Sequence, residues 1–483
     1  MREYKLSIEL IPESAWGNNL RETLPKKDWD TLREFCYTRF DNHCAVCGKY
    51  DESLDAHEVW DFKEHTKEQV LIDIIALCKS CHFVKHIRQA KRIGAEKHAR
   101  EHFKRINKCN DYEFASAMIE AEFKFNELSK MDTWTLTAPT LDQLGGEGMQ
   151  ITQRVKIDII NPYDGVEWET VSHVKSALHT HTINSLPVDP NAGTTAPNEL
   201  VDAYEKSGFG AVVVTDHDFV STHNSSLITT YGNELSKERE HILSYGTTYQ
   251  DLTGAGIAGN LIGISTAGGI AYISHPSRHK GTSHDKNATW WIDKIIKNDV
   301  IKGMGALSGR QLSRDHGEEI WDEILTETMP RRNIFGIGID DNHSVTDISP
   351  SSVLGAAYTT IMLDDSQLNE QGLIHALATG CMTFSSHKID KEKDQDKPRL
   401  NIPCPKVLNI SIDKHEATIT VKADYADRIE WISNGKIVKK SYNSAGKLKS
   451  KINLRDVDGS YVRFRLLGPG GQTLSQPFGL IKS

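Results

Sequence analysis

Cysteine is scarce in this chain, 8 in 483 residues, and no apolar run approaches the roughly 20 residues needed to span a bilayer. A disulfide-stapled scaffold is therefore not expected, nor is a membrane partner. Positive charge is not in excess either: 57 Lys and Arg against 66 Asp and Glu give a net charge of −9. That balance argues against a chain that coats nucleic acid over its whole surface, while permitting a local basic face. Internal repeats and low-complexity tracts are missing, which excludes solenoids and disordered arrays. The opening Met1-Arg2-Glu3-Tyr4-Lys5 lacks the apolar core of a secretory signal, so the expected compartment is the cytoplasm of a bacterium or of a phage-infected cell.

The remaining composition, 38% hydrophobic and 25% charged, suits a multidomain α/β protein. Residues 1–135 form a first expected domain and 136–150, with Pro139, Gly145, Gly146 and Gly148 at or near it, a linker. A helix near the end of the first domain carries Phe114, Met118, Ala121, Phe125 and Leu128 at helical steps behind Asp111 as cap. Residues 151–388 alternate strand-like and helix-like segments, implying mostly parallel strands. Ala211-Val212-Val213-Val214 reads as a strand buried on both faces, and Pro197 opens a helix that Gly208 closes. A charged run reaches a second linker at 389–403, and 404–483 reads as an all-β, sandwich-like accessory domain.

The few cysteines are placed for metal. Cys44-Ala45-Val46-Cys47 and Cys78-Lys79-Ser80-Cys81 supply four thiolates, enough for one structural Zn²⁺. His57 lies between the knuckles, and His82 and His86 follow the second. Residues 79–108 are strongly basic. Lys85, Arg88, Lys91, Arg92, Lys104 and Arg105 there are candidate contacts to a phosphate backbone, with DNA the expected partner.

A second, larger constellation lies in residues 151–388. Leu178-His179-Thr180-His181, Thr215-Asp216-His217, Ile273-Ser274-His275-Pro276 and Ile339-Asp340-Asp341-Asn342-His343 each place metal-ligand side chains at the end of an apolar run. A His-x-His at a strand end directs both imidazoles to one face, and functional groups gather at the carboxyl ends of parallel strands. Glu234 and His241 are expected in a loop between.

Two family resemblances follow from these strings. Cys44–Cys47, Asp55-Ala56-His57-Glu58 and Cys78–Cys81 running into His82, Lys85 and His86 resemble the HNH endonucleases. That resemblance implies a ββα-metal fold, His57 as general base, and His82 holding one Mg²⁺ or Zn²⁺ with Asp55 or His86. Asp73 stands where Asn is usual and is positioned to pair with the base. The central strings, with Gly232-Asn233-Glu234-Leu235 and the segment Gly372 to Ser385, resemble the PHP (polymerase and histidinol phosphatase) family. This implies a distorted (β/α)7 barrel with two or three of Mn²⁺, Fe²⁺ or Zn²⁺, held by His179, His181, His217, Glu234, His241, His275, Asp341 and His343. Glu234 would bridge two metals, and Asp189 would be a ninth ligand. Asp216 and Arg278 would be catalytic, Arg278 on a phosphate oxygen. The combined expectation is a metal-dependent phosphodiesterase or nuclease, the alternative a hydrolase of a small phosphomonoester or amide-like substrate. Oligomeric state is not legible.

Overall fold

The structure, a computed structural model, describes residues 4–149, 157–188, 193–277, 287–309, 317–346, 353–391, 396–414, 416–443 and 447–482. The chain divides into two compact units, Met1–Lys156 and Ile157–Ser483.

In the first unit β1 (Asp55–Lys63) and β2 (Glu68–Leu77) form an antiparallel hairpin, and β3 (Thr135–Thr137) joins β2 in parallel. The helix Lys79–Lys85 follows β2 directly, with Cys78 as its N-cap residue. Leu71, Ile74, Ala76 and Leu77 of the hairpin and Val84 of the helix are buried together with Leu6, Leu32 and Phe103. The basic stretch is not one helix but three, Lys79–Lys85, Ile87–Arg92 and Glu96–Asn107, interrupted at His86 and at Gly94 (φ +77°). The helix Asp111–Leu128 is capped by Asn110 rather than Asp111. Asn110 Oδ1 accepts from the Glu113 N–H and the Glu113 carboxylate accepts from the Asn110 N–H, a reciprocal box that Asp111 cannot make. Residues 136–150 do not stand clear as a linker. Leu141 and Leu144 are buried in this unit's core.

The second unit opens with β4 (Ile157–Ile160), β5 (Ser172–Ala177) and β6 (Ala211–Val212). Next come β7 (Gly232–Leu235), β8 (Ile242–Tyr245), β9 (Ile270–Ile273), β10 (Ile301–Ser308) and β11 (Phe335–Ile339). β12 (Ala357–Leu363) and β13 (Met382–His387) follow, then a short hairpin of β14 (Ile389–Lys391) and β15 (Asp396–Pro398). The remaining strands are β16 (Lys406–Asp413), β17 (Thr418–Asp424), β18 (Arg428–Ser433) and β19 (Lys436–Tyr442). The last four are β20 (Leu448–Asn453), β21 (Tyr461–Gly468), β22 (Gly471–Leu474) and β23 (Phe478–Lys482).

Among the described residues these strands do not close into a (β/α)7 barrel. One sheet has the order β11-β10-β9-β8-β7, and a second runs β19-β18-β21-β22-β13-β12-β5-β6 with β23 and β4 alongside. β13 pairs with β12 on one side and with β22 on the other, so both of its edges are taken. Nor are the strands mostly parallel. β5–β6, β9–β10 and β10–β11 are parallel, whereas β7–β8, β8–β9, β5–β12 and β12–β13 are antiparallel. The helix Pro197–Lys206 does bury Leu200, Val201 and Tyr204, with Gly208 at φ +76° just beyond it.

The carboxyl-terminal strands, expected as a separate accessory domain, belong to the same compact unit. Besides the β13–β22 ladder, Arg463 of β21 is fully buried against the helix Gly317–Thr328. Its Nε and Nη2 donate to Asp322 (2.8 and 2.5 Å), and Nη2 also reaches Glu318 (2.7 Å). β16, β17 and β20 form a three-stranded sheet, and Ile419, Val421, Trp431 and Phe464 share one core with Ile157 and Met362 of the central region.

Candidate metal centre

Eight of the expected ligands meet on one rim of the second unit. His179 and His181 follow β5, His217 follows β6, His275 follows β9, and Asp341 and His343 follow β11. Parallel bridges Thr180↔Asn342 and His217↔Glu234 tie these strand ends together. Glu234 lies within β7 rather than in a loop, while His241 ends the β7–β8 connection, immediately before β8. Because β8 runs antiparallel to both β7 and β9, its amino end, not its carboxyl end, reaches the rim.

Glu234 is the hub. Its Oε1 is 3.4 Å from His179 Nε2, 2.9 Å from His241 Nδ1 and 3.1 Å from His275 Nε2. Its Oε2 is 3.4 Å from His181 Nε2 and 3.1 Å from His217 Nδ1. Asp341 Oδ1 is 3.3 Å from His179 Nε2, 3.4 Å from His181 Nε2 and 3.6 Å from His343 Nδ1. Ligand atoms fall into overlapping groups that each suit one ion: His181, His217 and His343; His179, Glu234 and His275; His179, His181 and Asp341. Asp341 sits at φ +50°, a conformation that a non-glycine residue adopts at a cost on the order of 1 kcal/mol.

Proton accounting at the surrounding hydroxyls decides the imidazole tautomers. Thr215 Oγ1 donates to the Thr180 carbonyl (3.4 Å) and accepts from the Thr180 N–H (3.1 Å), so at 2.8 Å it can only accept from His179 Nδ1. Ser185 Oγ donates to Asp216 Oδ1 (2.7 Å) and therefore accepts from His181 Nδ1 (3.1 Å). Ser236 Oγ donates to Asp218 Oδ2 (3.0 Å) and accepts from His217 Nδ1 (2.9 Å). His343 Nδ1 donates to the Asp341 carbonyl (2.8 Å). In all four rings the proton is fixed on Nδ1, and the Nε2 lone pair is left for a cation. His181 Nε2 and Glu234 Oε2 are buried with no hydrogen bond of good geometry. Orphaned buried atoms of this kind fit an ion between them.

With no cation present, the carboxylates of Glu234 and Asp341 draw a second proton onto His181 Nε2, the position an ion would take. Burial opposes ionisation of Glu234 and Asp341, yet the imidazoles around them hold both carboxyls well below the usual range. Burial alone would lower His181, but the facing carboxylates Asp341 and Glu234 push it up to about 10. His217 is pushed down to about 3 by burial and by the charge on His181.

Asp216, expected as a catalytic group, is not brought to this cluster. Its carboxylate is filled by the Thr182 N–H and Oγ1 (both 2.6 Å), Ser185 Oγ and Ser221 Oγ. It positions Ser185, and through it His181. Arg278 and Asp189 lie outside the described residues. Thr215, Ser185, Ser236 and Asp218 were missed by the sequence reading; only their nearness to the ligand strings could have signalled them.

The first unit brings two further clusters together. The four sulfurs of Cys44, Cys47, Cys78 and Cys81 lie within 4.8 Å of one another, with Cys47 and Cys78 at 3.7 Å. A tetrahedral zinc with ~2.3 Å bonds holds its sulfurs ~3.8 Å apart, so the set fits. Nitrogens of His57, His82 and His86 also lie within 4.8 Å of one another. Asp55 Oδ2 is 3.0 Å from His82 Nδ1. His57 is buried, and its Nε2 is 2.8 Å from Glu9 Oε2, a residue with no motif around it. Burial alone would raise Glu9, but His57 and Lys85 hold it down to about 2. Burial pushes His86 down to about 3. Asp73 does not pair with His57: it accepts from Arg39 at 2.7 Å.

Most of the expected nucleic-acid contacts are spoken for. Lys85 is only 6% exposed and pairs with Glu9. Arg88 pairs with Glu122 and lies over Phe125; Lys104 pairs with Glu101 and Asp111 at 2.8 Å each. Arg105 donates to His102 Nδ1 (2.7 Å), whose Nε2 meets Cys81 Sγ (3.1 Å). Lys91 and Arg92 are exposed.

No protein-family model matches this sequence, and no curated protein does. A solved structure from Bacteroides vulgatus is similar in part: a two-domain protein containing a predicted PHP-like metal-dependent phosphoesterase. The likeness covers 69% of this chain and 100% of that one, at 15% identity and a TM-score of 0.38. At that score the likeness is loose, and the reading of the site rests on its own geometry. No described helix is long and apolar enough to cross a membrane.

Proposed function

We propose that the second unit is a multinuclear metallohydrolase of the PHP type acting on phosphate esters, with nucleic acid as its substrate. The carrying observation is the ring of imidazoles around Glu234 and Asp341, in which His179 and His181 have Nδ1 held by a hydroxyl and Nε2 turned toward both carboxylates. His179, His181, His217, Glu234, His241, His275, Asp341 and His343 would hold two or three ions. Bound divalent ions supply Lewis-acid stabilisation of phosphate charge and lower the pKa of water. The chain's own part is to fix the ligands: Glu234 would be shared between ions, and the hydroxyls of Thr215, Ser185 and Ser236 lock the rings of His179, His181 and His217. The first unit would be a zinc-stapled, HNH-like module. Asp55, His82 and His86 would hold a further ion beside His57, the candidate general base, which pairs with Glu9.

A small phosphomonoester is the competing substrate, favoured by the ion pairing that occupies Lys85, Arg88 and Lys104. The test is direct. Purified full-length protein, loaded with Mn²⁺ and assayed on DNA and RNA oligonucleotides and on a chromogenic phosphomonoester, should degrade the oligonucleotides and lose that activity in Glu234→Gln. Turnover of the monoester alone supports the competing substrate; turnover of neither rejects the hydrolase reading.

A further inference from the structure

The sequence reading found no chemistry in the carboxyl-terminal strands, and the structure gives them a charge pattern that asks for a partner. Residues 436–451 hold six lysines (Lys436, Lys439, Lys440, Lys447, Lys449 and Lys451) and no acid, in a chain of net charge −9. All six are exposed. Lys440 lies 3.8 Å from Glu430, and Lys439 Nζ donates to the Lys451 carbonyl rather than to a carboxylate. Lys449 of β20 stands directly opposite Lys422 of β17, also exposed. Like charges facing each other across a ladder are destabilising unless something anionic lies over them.

β19 ends the long sheet, and exposed Ile437, Val438 and Tyr442 lie among its lysines. Tyr442 is 70% exposed and pairs in register with Arg428. Both line a cavity of about 690 Å³ whose wall also includes Lys388, Leu467 and Gln472. Cations on β19 and on β20, strands of two sheets that pack on one core, together with an exposed aromatic ring at a pocket large enough for a base, suit a strand whose bases are unpaired. A duplex offers the phosphates but hides the bases.

We propose that the β19–β20 face binds single-stranded nucleic acid, with the lysines along the phosphates and Tyr442 stacking a base at the cavity. The choice of nucleic acid among polyanions rests on the phosphate-ester reading above; the anion-binding face itself does not.

The experiment uses the full chain, a fluorescent 20-nucleotide single strand, and anisotropy titrations from 50 to 400 mM salt. Replacing Lys436, Lys439, Lys449 and Lys451 together by Gln should weaken binding on the order of 100-fold at 0.1 M salt and flatten the log–log salt slope by about 3. The same four changed to Arg should bind as the parent does. Tyr442→Ala should weaken binding about 10-fold with the slope unchanged. Hydrolysis of bis(p-nitrophenyl) phosphate, which needs no polymer contact, should be the same in the Gln variant as in the parent, which also reports that the chain is folded. Binding within twofold of the parent in the Gln variant overturns the proposal. So does a parent that binds anionic phosphatidylserine vesicles and no oligonucleotide. A parent that binds the strand through these lysines but cleaves no phosphate ester leaves this face standing and removes the hydrolase reading instead.

Discussion

Thr215→Val isolates one hydroxyl while keeping the shape of the side chain. Thr215 Oγ1 accepts the His179 Nδ1 proton at 2.8 Å and the Thr180 N–H at 3.1 Å. Without it, His179 has no partner that fixes the proton on Nδ1, and the tautomer with a protonated Nε2, useless to a metal, becomes accessible. Loss of such an outer partner weakens metal binding about 10- to 100-fold, equivalent to about 1.4–2.7 kcal/mol. Because His179 belongs to two of the ligand groups, two ions should be affected rather than one. The fold loses about 1–3 kcal/mol from the buried Thr180 N–H left unpaired. The assay is Mn²⁺ binding by calorimetry on apo protein, with activity followed against Mn²⁺ concentration. The variant should need at least tenfold more metal for half activity and approach the parent's rate at saturation, while Thr215→Ser should behave as the parent. Unchanged metal affinity in Thr215→Val would refute the tautomer argument.

Other expectations are sharp enough to check. Arg463→Ala leaves Asp322 without its buried counter-charge and Glu318 with Arg465 alone, and should cost about 3–5 kcal/mol in urea unfolding of the second unit; a loss below about 1 kcal/mol contradicts the role of this pair. Glu58 is pushed up to about 7 by burial, so the folded unit binds a proton that the unfolded chain releases. Its contribution is full below pH 4.5 and is lost as pH rises through 7. Glu58→Gln, which keeps an acceptor for the Leu20 N–H, should therefore stabilise the first unit at pH 8 by on the order of 3 kcal/mol and leave it unchanged at pH 4; equal effects at both pH values refute the assignment. Cys81→Ser should abolish zinc retention and leave the first unit open to proteolysis, whereas retention of one zinc per chain by mass spectrometry counts against the four-sulfur site.

The candidate site was legible because its ligands sit at strand ends within short strings, where period-two alternation fixes which side chains share a face. His179 and His181, or Asp341 and His343, need no long-range information to be paired. Glu234 was found as a residue but misplaced in a loop, since a four-residue strand such as β7 leaves too little pattern to read. Asp216 misled for a related reason. A carboxylate beside a ligand looks the same in sequence whether it meets a metal or, as here, four hydroxyl and amide donors. Glu9 was invisible altogether, because what makes it matter is His57, 48 positions away.

The fold failed where strand edges are shared between regions remote in sequence. Hydrophobic alternation identified the carboxyl-terminal strands as strands, but nothing in it says that β22 takes the edge of β13 or that Arg463 crosses to Asp322. Those two contacts turn an expected appendage into part of the metal-bearing unit, and they alter what the lysines of β19 and β20 can do. On a tethered domain a polyanion site only raises local concentration. On β19, which continues the sheet bearing β5 and β6, whose ends carry His179, His181 and His217, and on β20, which packs into one core with that sheet, it is held at a fixed distance from the ligands. Lengthening the chain between β13 and β16 should then leave strand binding and cleavage coupled as before, because the ladder and not the linker sets the geometry; a rate that falls with each inserted residue would show that the linker does.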